Sequence, residues 1–282
     1  MSHGNADPGC GERIRAAAAL LGAADGLLIT AGAGMGVDSG LPDFRGRQGF
    51  WSAYPALARA NIEFESIANP EAFARDPALA WGFYGHRLNL YRATVPHQGF
   101  HLLQDMAARM NRGAFVLTSN VDGQFQKAGF APERVCEVHG SIHHLQCSDG
   151  CGAALWPADD FQPVIDEEHC RLVSPLPHCP ACGAVARPNI LMFGDWHWLD
   201  GRSSAQQQRL HTWLARVERP AVIELGAGTQ IATIRRWSER YASSLIRVNP
   251  RAPEIPGGEG ISLAMGAGAA IAAIAAAGAA PR

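Results

Sequence analysis

Four cysteines in two close pairs are the residues of this chain best suited to hold a metal ion. Three residues separate Cys147 from Cys151, and two residues separate Cys179 from Cys182. Four thiolates at such spacings complete a tetrahedral shell around zinc and leave no open position for water. The spacing therefore predicts a structural zinc ion. His144 and His178 are alternative ligands, which we rank below the cysteines.

A glycine-rich segment near the start of the chain could hold a phosphate group. Gly32-Ala33-Gly34 follows the apolar run 26–30, which is typical of a buried parallel strand. Backbone N–H groups at such a strand end can approach the pyrophosphate of a dinucleotide. A tight turn in any α/β protein would show the same glycines, so this segment alone leaves both interpretations open.

Longer motifs follow one another in an order that carries a resemblance to a known family. They are residues 31–46, 118–123, 128–129, 137–140, 187–195 and 248–249. Together with the cysteine pairs, they resemble the signatures of bacterial-type sirtuins, which are NAD-dependent protein-lysine deacylases. The resemblance covers about residues 12–275. It implies a Rossmann-like fold, NAD as co-substrate, one structural zinc ion, and acyl-lysine proteins or peptides as substrates.

The resemblance also implies which residues contact NAD. Asp122, with the backbone near Val121, would hold the carboxamide of nicotinamide. Phe44 would shield the reacting carbon from water, and Asp43 and Arg45 would order its loop. The implied NAD contacts are Gly32, Ala33, Gly34, Asp43, Phe44, Arg45, Ser119, Asn120, Val121, Asp122, His139, Gly226, Ala227, Gly228 and Asn249.

Two residues of these motifs are implied to be catalytic. His139 would act as general base on a ribose hydroxyl, because an imidazole titrates near neutral pH. Asn120 would hold the ribose or a bound water. The products would be nicotinamide, O-acyl-ADP-ribose and free lysine. A structural role is the alternative for a lone histidine after a strand, and the order of motifs makes it the weaker interpretation.

Four further residues are predicted to contact the substrate. Tyr84 and Arg87 are three positions apart, on one face of a predicted helix. The pair resembles the Tyr-x-x-Arg of the sirtuin class that removes succinyl, malonyl and glutaryl groups, and a guanidinium can bind such a carboxylate through two hydrogen bonds. The alternative is a surface arginine beside a packing tyrosine. Phe193 and Gly194 are predicted to pair with the substrate peptide as an added strand.

Departures from the family pattern keep other activities open. The family usually has other residues at Ala31, Gly36, Ser119, Gln124-Phe125 and Ala227. The loss of the usual Gln and one Ser removes side-chain hydrogen bonds to NAD, each worth about 1 kcal/mol. Protein mono-ADP-ribosyl transfer or plain NAD hydrolysis is therefore an alternative function. A non-catalytic NAD-sensing module is a third, which Asn120 and His139 speak against.

The apolar runs predict the elements that must position these residues. Residues 26–30, 114–118, 135–139, 190–193, 221–225 and 245–248 are strand candidates, and helical stretches lie between many of them. Such alternation predicts a doubly wound parallel α/β sheet with ligands at the strand carboxyl ends. We expect a Rossmann-like domain from residues 12–140 and 188–282, with a helical module at about 50–95. Residues 141–187 would form an inserted zinc-ribbon domain.

Glu224 is unusual, because it places a carboxylate inside the apolar run 221–225. We hypothesise either a hydrogen bond to a ribose or an ion pair with Arg235 or Arg236.

Composition and charge exclude some partners. The 282 residues carry a formal charge of −2, which gives no basic surface for nucleic acid or for a membrane. The uncharged stretch 263–280 is mostly Ala and Gly, and we expect a helix packed on the core rather than a membrane span. Residues 1–11 lack the features of a signal peptide. Cys10, Cys136 and Cys170 remain beside the zinc set, and we expect a reducing, cytoplasmic location.

Overall fold

The computed structural model describes residues 9–43 and 46–279, which fold around a six-stranded parallel sheet. Its spatial order is β11-β10-β9-β1-β2-β3. The strands of this sheet are β1 Gly26–Ala31, β2 Ala114–Thr118, β3 Val135–Glu137, β9 Pro220–Leu225, β10 Leu245–Val248 and β11 Ile261–Leu263. The predicted α/β class with a doubly wound parallel sheet is confirmed.

Eleven α-helices lie within the described residues. They are α1 Cys10–Ala23, α2 Gly46–Ala53, α3 Pro55–Arg59, α4 Phe64–Ile67, α5 Pro70–Arg75, α6 Pro77–Ala93, α7 Gln98–Ala107, α8 Gln124–Lys127, α9 Gly201–Leu214, α10 Thr233–Ser238 and α11 Ala267–Ala279. Asn69 and Asp76 cap α5 and α6, because their side chains accept hydrogen bonds from the first-turn N–H groups of Glu71 and Leu79.

Helices cover both faces of the sheet, as the side chains of β1 show. Ile29 packs in an apolar core with α1, α7 and α11, whereas Leu28 packs on the opposite face with α9. Every residue of β1 is buried. A strand covered on two faces needs apolar residues at consecutive positions, which explains the unbroken apolar run.

The order of the strands reverses at β1, which lies between β9 and β2. Connections leave this point toward opposite faces of the sheet, so the loops after β1, β2 and β9 separate and open a crevice. The fold thus places three of the predicted motifs around one opening.

A second, smaller sheet is antiparallel. It consists of β5 Trp156–Pro157, β4 Gly140–Cys147 and β8 Ala186–Ile190, and a separate hairpin pairs β6 Ile165–Asp166 with β7 Arg171–Leu172. The prediction of a strand at 190–193 in the parallel sheet is wrong. This strand, β8, ends at Ile190. Its residues Arg187 and Pro188 pair with β4, so the strand belongs to the antiparallel sheet. The division into domains at 140 and 188 stays a prediction.

Helix α6 joins the helical segments to this smaller sheet. Its Gly82 faces the backbone of the β6–β7 hairpin, and a Cβ there would lie 1.9 Å from the Cys170 carbonyl oxygen. Phe50 of α2, Phe83 of α6 and Leu145 of β4 share one apolar core. The wall that α6 presents to the opening is therefore fixed from both sides.

The carboxyl-terminal helix α11 packs on the parallel sheet. Ala270, Ile271 and Ile274 are buried in the core that also contains Leu21 of α1. Within the described residues, no helix is both long and apolar enough to cross a membrane.

Candidate active site

A cavity of about 960 Å³ lies at the carboxyl ends of β1, β2 and β9 and extends to α6. It gathers most of the residues predicted to bind NAD or substrate. The predicted residues that line it are Gly32, Ala33, Asp43, Tyr84, Arg87, Ser119, Asn120, Val121, Asp122, His139, Phe193, Gly226, Ala227, Gly228 and Asn249. Gly34 and Gly194 lie outside its lining. Phe44 and Arg45 lie outside the described residues.

The glycines after β1 and β9 bring two backbones into contact. Gly34 N–H donates to the Gly226 carbonyl at 3.1 Å, and Gly32 N–H donates to Leu225 at 3.0 Å. Gly226 has φ +60°, and a Cβ there would lie 2.4 Å from the Gly34 backbone. The N–H groups of Gly32 and Gly34 are therefore already donated to neighbouring carbonyls, and the contact of this segment with NAD stays a prediction.

Other backbone donors at this opening remain for a ligand. Among the described residues, Ala33, Ala227 and Gly228 have N–H groups without a backbone acceptor, and all three line the cavity. Donors from two adjacent loops suit a pyrophosphate, which offers oxygens on two phosphorus atoms. The loops therefore fit a dinucleotide without help from hydroxyl side chains.

Two asparagines hold these loops in position. Asn120 Nδ2 donates to the Gly32 carbonyl at 3.1 Å. Asn249 Nδ2 donates to the Ala227 carbonyl at 2.9 Å, and its Oδ1 accepts from Arg251 and Ala252 N–H. Asn249 is 1% exposed, so its side chain supports the loops rather than reaching far into the cavity.

Asp122 is a buried carboxyl on the wall of the cavity. Loss of solvent raises its pKa to about 6, against the opposing effect of a hydrogen bond from Gln124 N–H. The neighbouring Val121 carbonyl accepts from Ile142 N–H at 3.0 Å, which ties this loop to β4. Such a carboxyl can accept an amide N–H in a site that excludes water.

His139 follows β3 and lines the same cavity. Burial lowers its pKa, while hydrogen bonding to the Ser119 backbone acts in the opposite direction. Its backbone carbonyl accepts from Leu191 N–H at 2.9 Å, so the imidazole lies where the loop after β3 meets the loop after β8. A neutral imidazole at pH 7 is the form that can accept a proton.

Helix α6 presents a polar cluster to the other side of the cavity. Tyr84 is 1% exposed and Arg87 is 9% exposed. Arg87 donates from Nε and Nη2 to the Tyr91 hydroxyl, at 2.9 and 2.6 Å. Burial raises the pKa of Tyr84, so its phenol keeps its proton. The interpretation of Arg87 as an ordinary surface arginine is wrong, because the side chain is buried at the cavity wall.

The four predicted zinc ligands meet at one end of the smaller sheet. The Sγ atoms of Cys147, Cys151, Cys179 and Cys182 all lie within 4.8 Å of one another, with two pairs at 3.6 Å. Zinc–sulfur bonds of about 2.3 Å at tetrahedral angles require sulfur–sulfur distances of about 3.8 Å. The cluster therefore fits a zinc ion. Neither His144 nor His178 belongs to it.

One cysteine of this cluster is already suited to act as a thiolate. Desolvation raises the pKa of Cys179, but backbone hydrogen bonds from Ala181 and Cys182 bring it down to about 7. A zinc ligand must be deprotonated.

Glu224 does not reach the cavity. Its carboxylate is fully buried and lies 2.6 Å from Nε of Arg247, which also bonds Glu239 at 2.9 Å. Both hypotheses for Glu224 are wrong, because each names a different partner from the one observed. Strand β10 lies beside β9 and places Arg247 directly opposite Glu224. Loss of one member of such a pair costs about 3–5 kcal/mol.

Comparison with known proteins identifies the family. The sequence model of the Sir2 family matches residues 32–219. The chain belongs to the Sir2 family. NAD-dependent protein deacylase 1 of Pseudomonas aeruginosa is 30% identical over 242 residues, which cover 84% of this chain and 88% of that protein. Mitochondrial NAD-dependent protein deacylase sirtuin-5 of Danio rerio is 32% identical over 184 residues, or 60% of this chain and 57% of that protein.

Solved Sir2 structures share the fold. A Sir2 homologue–NAD complex has a TM-score of 0.67 at 23% identity, and the match covers 98% of this chain and 95% of that one. A Sir2 protein bound to acetylated peptide has a TM-score of 0.64 at 19% identity, covering 90% and 93%. These likenesses establish the architecture of this Sir2 family member.

The sequence analysis missed several residues of the Sir2-type cavity. Tyr91 is the clearest case, since it lies four positions after Arg87 and seven after Tyr84, on the same face of α6. Helical spacing could have identified it. Met192 and Leu191 also line the cavity, after a strand whose end the sequence analysis placed too late.

Proposed function

We propose that this chain is an NAD-dependent protein-lysine deacylase. The observation that carries the proposal is a single cavity that joins three kinds of groups. Backbone donors at the strand ends, the neutral imidazole of His139 and the buried Tyr84–Arg87 pair all line this cavity. The curated relatives named above bear the same activity in their names.

NAD, when bound, supplies an electrophilic ribose carbon as nicotinamide departs. Ala33, Ala227 and Gly228 would donate N–H groups to its pyrophosphate. Asp122 would accept a hydrogen bond from the nicotinamide carboxamide, and its carboxyl has already lost most of its solvent through burial. Asn120 would hold the ribose through its free Oδ1, while its Nδ2 keeps the Gly32 loop in place.

His139 would remove the proton from a ribose hydroxyl. Burial favours the neutral imidazole, which is the proton acceptor. The acyl oxygen would bond to the ribose carbon that nicotinamide leaves, and the hydroxyl oxygen would then attack the acyl carbon. The bond from the acyl carbon to the lysine nitrogen would break, the lysine amine would leave with the proton, and one water would complete O-acyl-ADP-ribose. General-base assistance of this kind contributes about 10²–10⁴-fold to a rate.

We propose further that acidic acyl groups are preferred. The Arg87 guanidinium lies over the rings of Phe83 and Tyr91 at 5.2 and 5.4 Å, which fixes its plane. A succinyl carboxylate could accept from Arg87 and from the Tyr84 hydroxyl at once. An acetyl group has no carboxylate, so it would form neither of these two hydrogen bonds.

The peptide would lie beside Phe193 and Gly194, at the mouth of the cavity. Phe193 N–H already donates to the Ala68 carbonyl at 2.9 Å, so Gly194 would offer the backbone contact. The cysteine cluster would hold a structural zinc ion that anchors β4. None of the seven cysteines forms a disulfide, and we propose a reducing, cytoplasmic location.

A panel of acyl-lysine peptides tests the function. Purified protein is incubated with NAD and acetyl-, succinyl-, malonyl- or glutaryl-lysine peptide, and products are identified by mass spectrometry. We expect nicotinamide, O-acyl-ADP-ribose and free lysine in equal amounts. Labelled protein without O-acyl-ADP-ribose would instead favour ADP-ribosyl transfer, and nicotinamide release without peptide would favour NAD hydrolysis.

A further inference from the structure

A second cavity, of about 720 Å³, lies behind the loop that follows β2. Tyr91 and Asp122 line both this cavity and the active-site cavity, so the two are separated by a thin wall. The rest of the second cavity is formed by Arg92 of α6, by residues of α8, β4 and α9, and by Gly123, Pro132 and Glu133. The proposed deacylation does not use this space.

Basic side chains dominate the lining of the second cavity. Four of them carry a full positive charge at pH 7, namely Arg92, Lys127, Arg202 and Arg209. Two carboxyl groups, of Asp122 and Glu133, also line it. Cations thus outnumber carboxyl groups four to two, in a chain whose formal charge is −2.

The histidines of this cavity add little charge. Burial lowers the pKa of His143 and of His144, so both are mainly neutral at pH 7. His143 Nε2 instead lies 3.0 Å from the Asp122 carbonyl oxygen, where it supports the loop. The positive character therefore comes from the arginines and the lysine.

Among the described residues, three of the four cations form no ion pair with a carboxylate, although the charge of Asp159 raises the pKa of Arg92 against the lowering by burial. Arg202 lies 2.6 Å from Glu137. Within the described residues, no carboxylate oxygen lies within 4.0 Å of the charged nitrogens of Arg92, Lys127 or Arg209. Their charges are therefore available to a ligand.

Two of these cations are held in place by neutral groups. Arg92 donates to the carbonyls of Ala158 and Phe161, at 2.6 and 2.7 Å. Lys127 Nζ donates to the carbonyls of Arg92 and Thr94, both at 2.6 Å. These contacts fix the positions of the cations without neutralising them. A ligand would meet preorganised charges, which lowers the entropy cost of binding.

The remaining two cations belong to one face of α9. Arg202 and Arg209 are seven residues apart, which corresponds to two helical turns and about 10 Å along the axis. Gln206 lies between them, but its side chain bonds the Glu137 backbone at 3.0 Å. Nη1 of Arg202 is buried without a hydrogen-bond partner among the described residues.

We propose that the second cavity binds a small molecule with two or more anionic oxygen groups. The separation of Arg202 from Arg209 suits charges at two ends of the ligand, and guanidinium groups match both phosphate and carboxylate oxygens. The site is distinct from the proposed NAD site, which relies on backbone donors on the other side of Asp122.

Calorimetric titration with two probes tests the site. Inorganic pyrophosphate and citrate represent phosphate and carboxylate ligands, and each is titrated with and without saturating ADP-ribose. We expect saturable binding of at least one probe that persists with ADP-ribose present. Because Arg209 is exposed, Arg209→Gln should fold normally and weaken this binding about tenfold, and Arg209→Glu should weaken it further.

A matched control variant is available just beyond the same helix. Arg216 is exposed and does not line the cavity, so Arg216→Gln should leave the affinity unchanged. The proposal is overturned if ADP-ribose abolishes all probe binding, if no binding occurs, or if both Arg209 variants bind like the wild type. Binding heat is measured without deacylation, so these outcomes are independent of the proposed activity.

Discussion

The two walls of the active-site cavity offer different kinds of chemical groups to a ligand. The wall at the strand ends offers backbone N–H groups on loops whose glycines touch, as Gly34 and Gly226 do. The wall at α6 offers buried side chains, of which Tyr84 and Arg87 are the main polar members. The backbone donors of the first wall are not altered chemically by a side-chain substitution, whereas the polar groups of the second wall are.

This difference explains how the chain tolerates its departures from the sirtuin pattern. Ala227 stands where the family usually has a hydroxyl residue, yet it lines the cavity, and its N–H has no backbone acceptor among the described residues. Backbone recognition depends on the path of the chain, and Asn120 and Asn249 keep that path through hydrogen bonds to carbonyls. The cofactor wall is therefore sensitive to added volume, whereas the α6 wall is sensitive to lost charge.

The largest effect on catalysis is expected from loss of the His139 imidazole. His139→Ala should lower kcat for deacylation about 1,000-fold, because the general base is lost. ADP-ribose affinity should change less than about threefold, since neither wall is altered. Single-turnover kinetics and calorimetry measure the two quantities, and a large loss of ADP-ribose affinity would contradict the catalytic role.

The pH dependence of the wild type sharpens this assignment. Burial lowers the pKa of His139, so the neutral base persists below the ordinary value of about 6.5 and activity falls only as pH drops through the lowered pKa. The acidic limb of kcat/KM should therefore lie below pH 6.5. A limb above pH 7 would rule out the neutral-base assignment.

One added methyl group at Gly226 should disrupt the loops that are proposed to bind NAD. Gly226→Ala would place a methyl group 2.4 Å from the Gly34 backbone at a positive φ, so both loops must shift. We expect NAD affinity to fall about 100-fold, measured by calorimetry. Gly22→Ala is the matched control, because nothing lies within 4 Å of its added Cβ. Equal affinity in both variants would refute backbone recognition.

Loss of charge should alter the α6 wall selectively. Arg87→Met should reduce kcat/KM for succinyl-lysine peptide about 30-fold, because a charge-assisted hydrogen bond is lost. Activity on acetyl-lysine peptide should change less than about threefold. Arg75→Met, an exposed arginine on α5, is the control. An unchanged ratio of the two activities would remove Arg87 from acyl recognition.

The smallest effect concerns the free energy of unfolding, which ionisation of the buried Asp122 carboxyl lowers. Its folded pKa of about 6 exceeds the ordinary 3.8, so ionisation destabilises the fold, and the penalty grows as pH rises from about 4 to 6. Asp122→Asn keeps an oxygen for Gln124 N–H and should raise the free energy of unfolding by about 1–3 kcal/mol at pH 8. Urea titrations should show no such gain at pH 4. An equal gain at both pH values would contradict the burial argument.

Much of this molecule could be predicted from local patterns. The buried strands, the Asn69 cap and the cysteine cluster each depend on residues close in the chain or on spacing alone. The strand at 190–193 and the partner of Glu224 could not be predicted this way. Both depend on which strands become neighbours, since β8 pairs with β4 and β10 pairs with β9.

The sequence by itself determined the parallel α/β fold, the metal-binding cysteines and the residue types that gather at the cavity. Apolar periodicity and ligand spacing are local properties, so they are visible in the sequence without a structure. Only the tertiary structure decided which N–H groups remain for a phosphate, where Arg87 points, and that basic residues from α6, α8 and α9 surround a second cavity. These properties arise between segments distant in the chain, where packing decides which polar groups find partners.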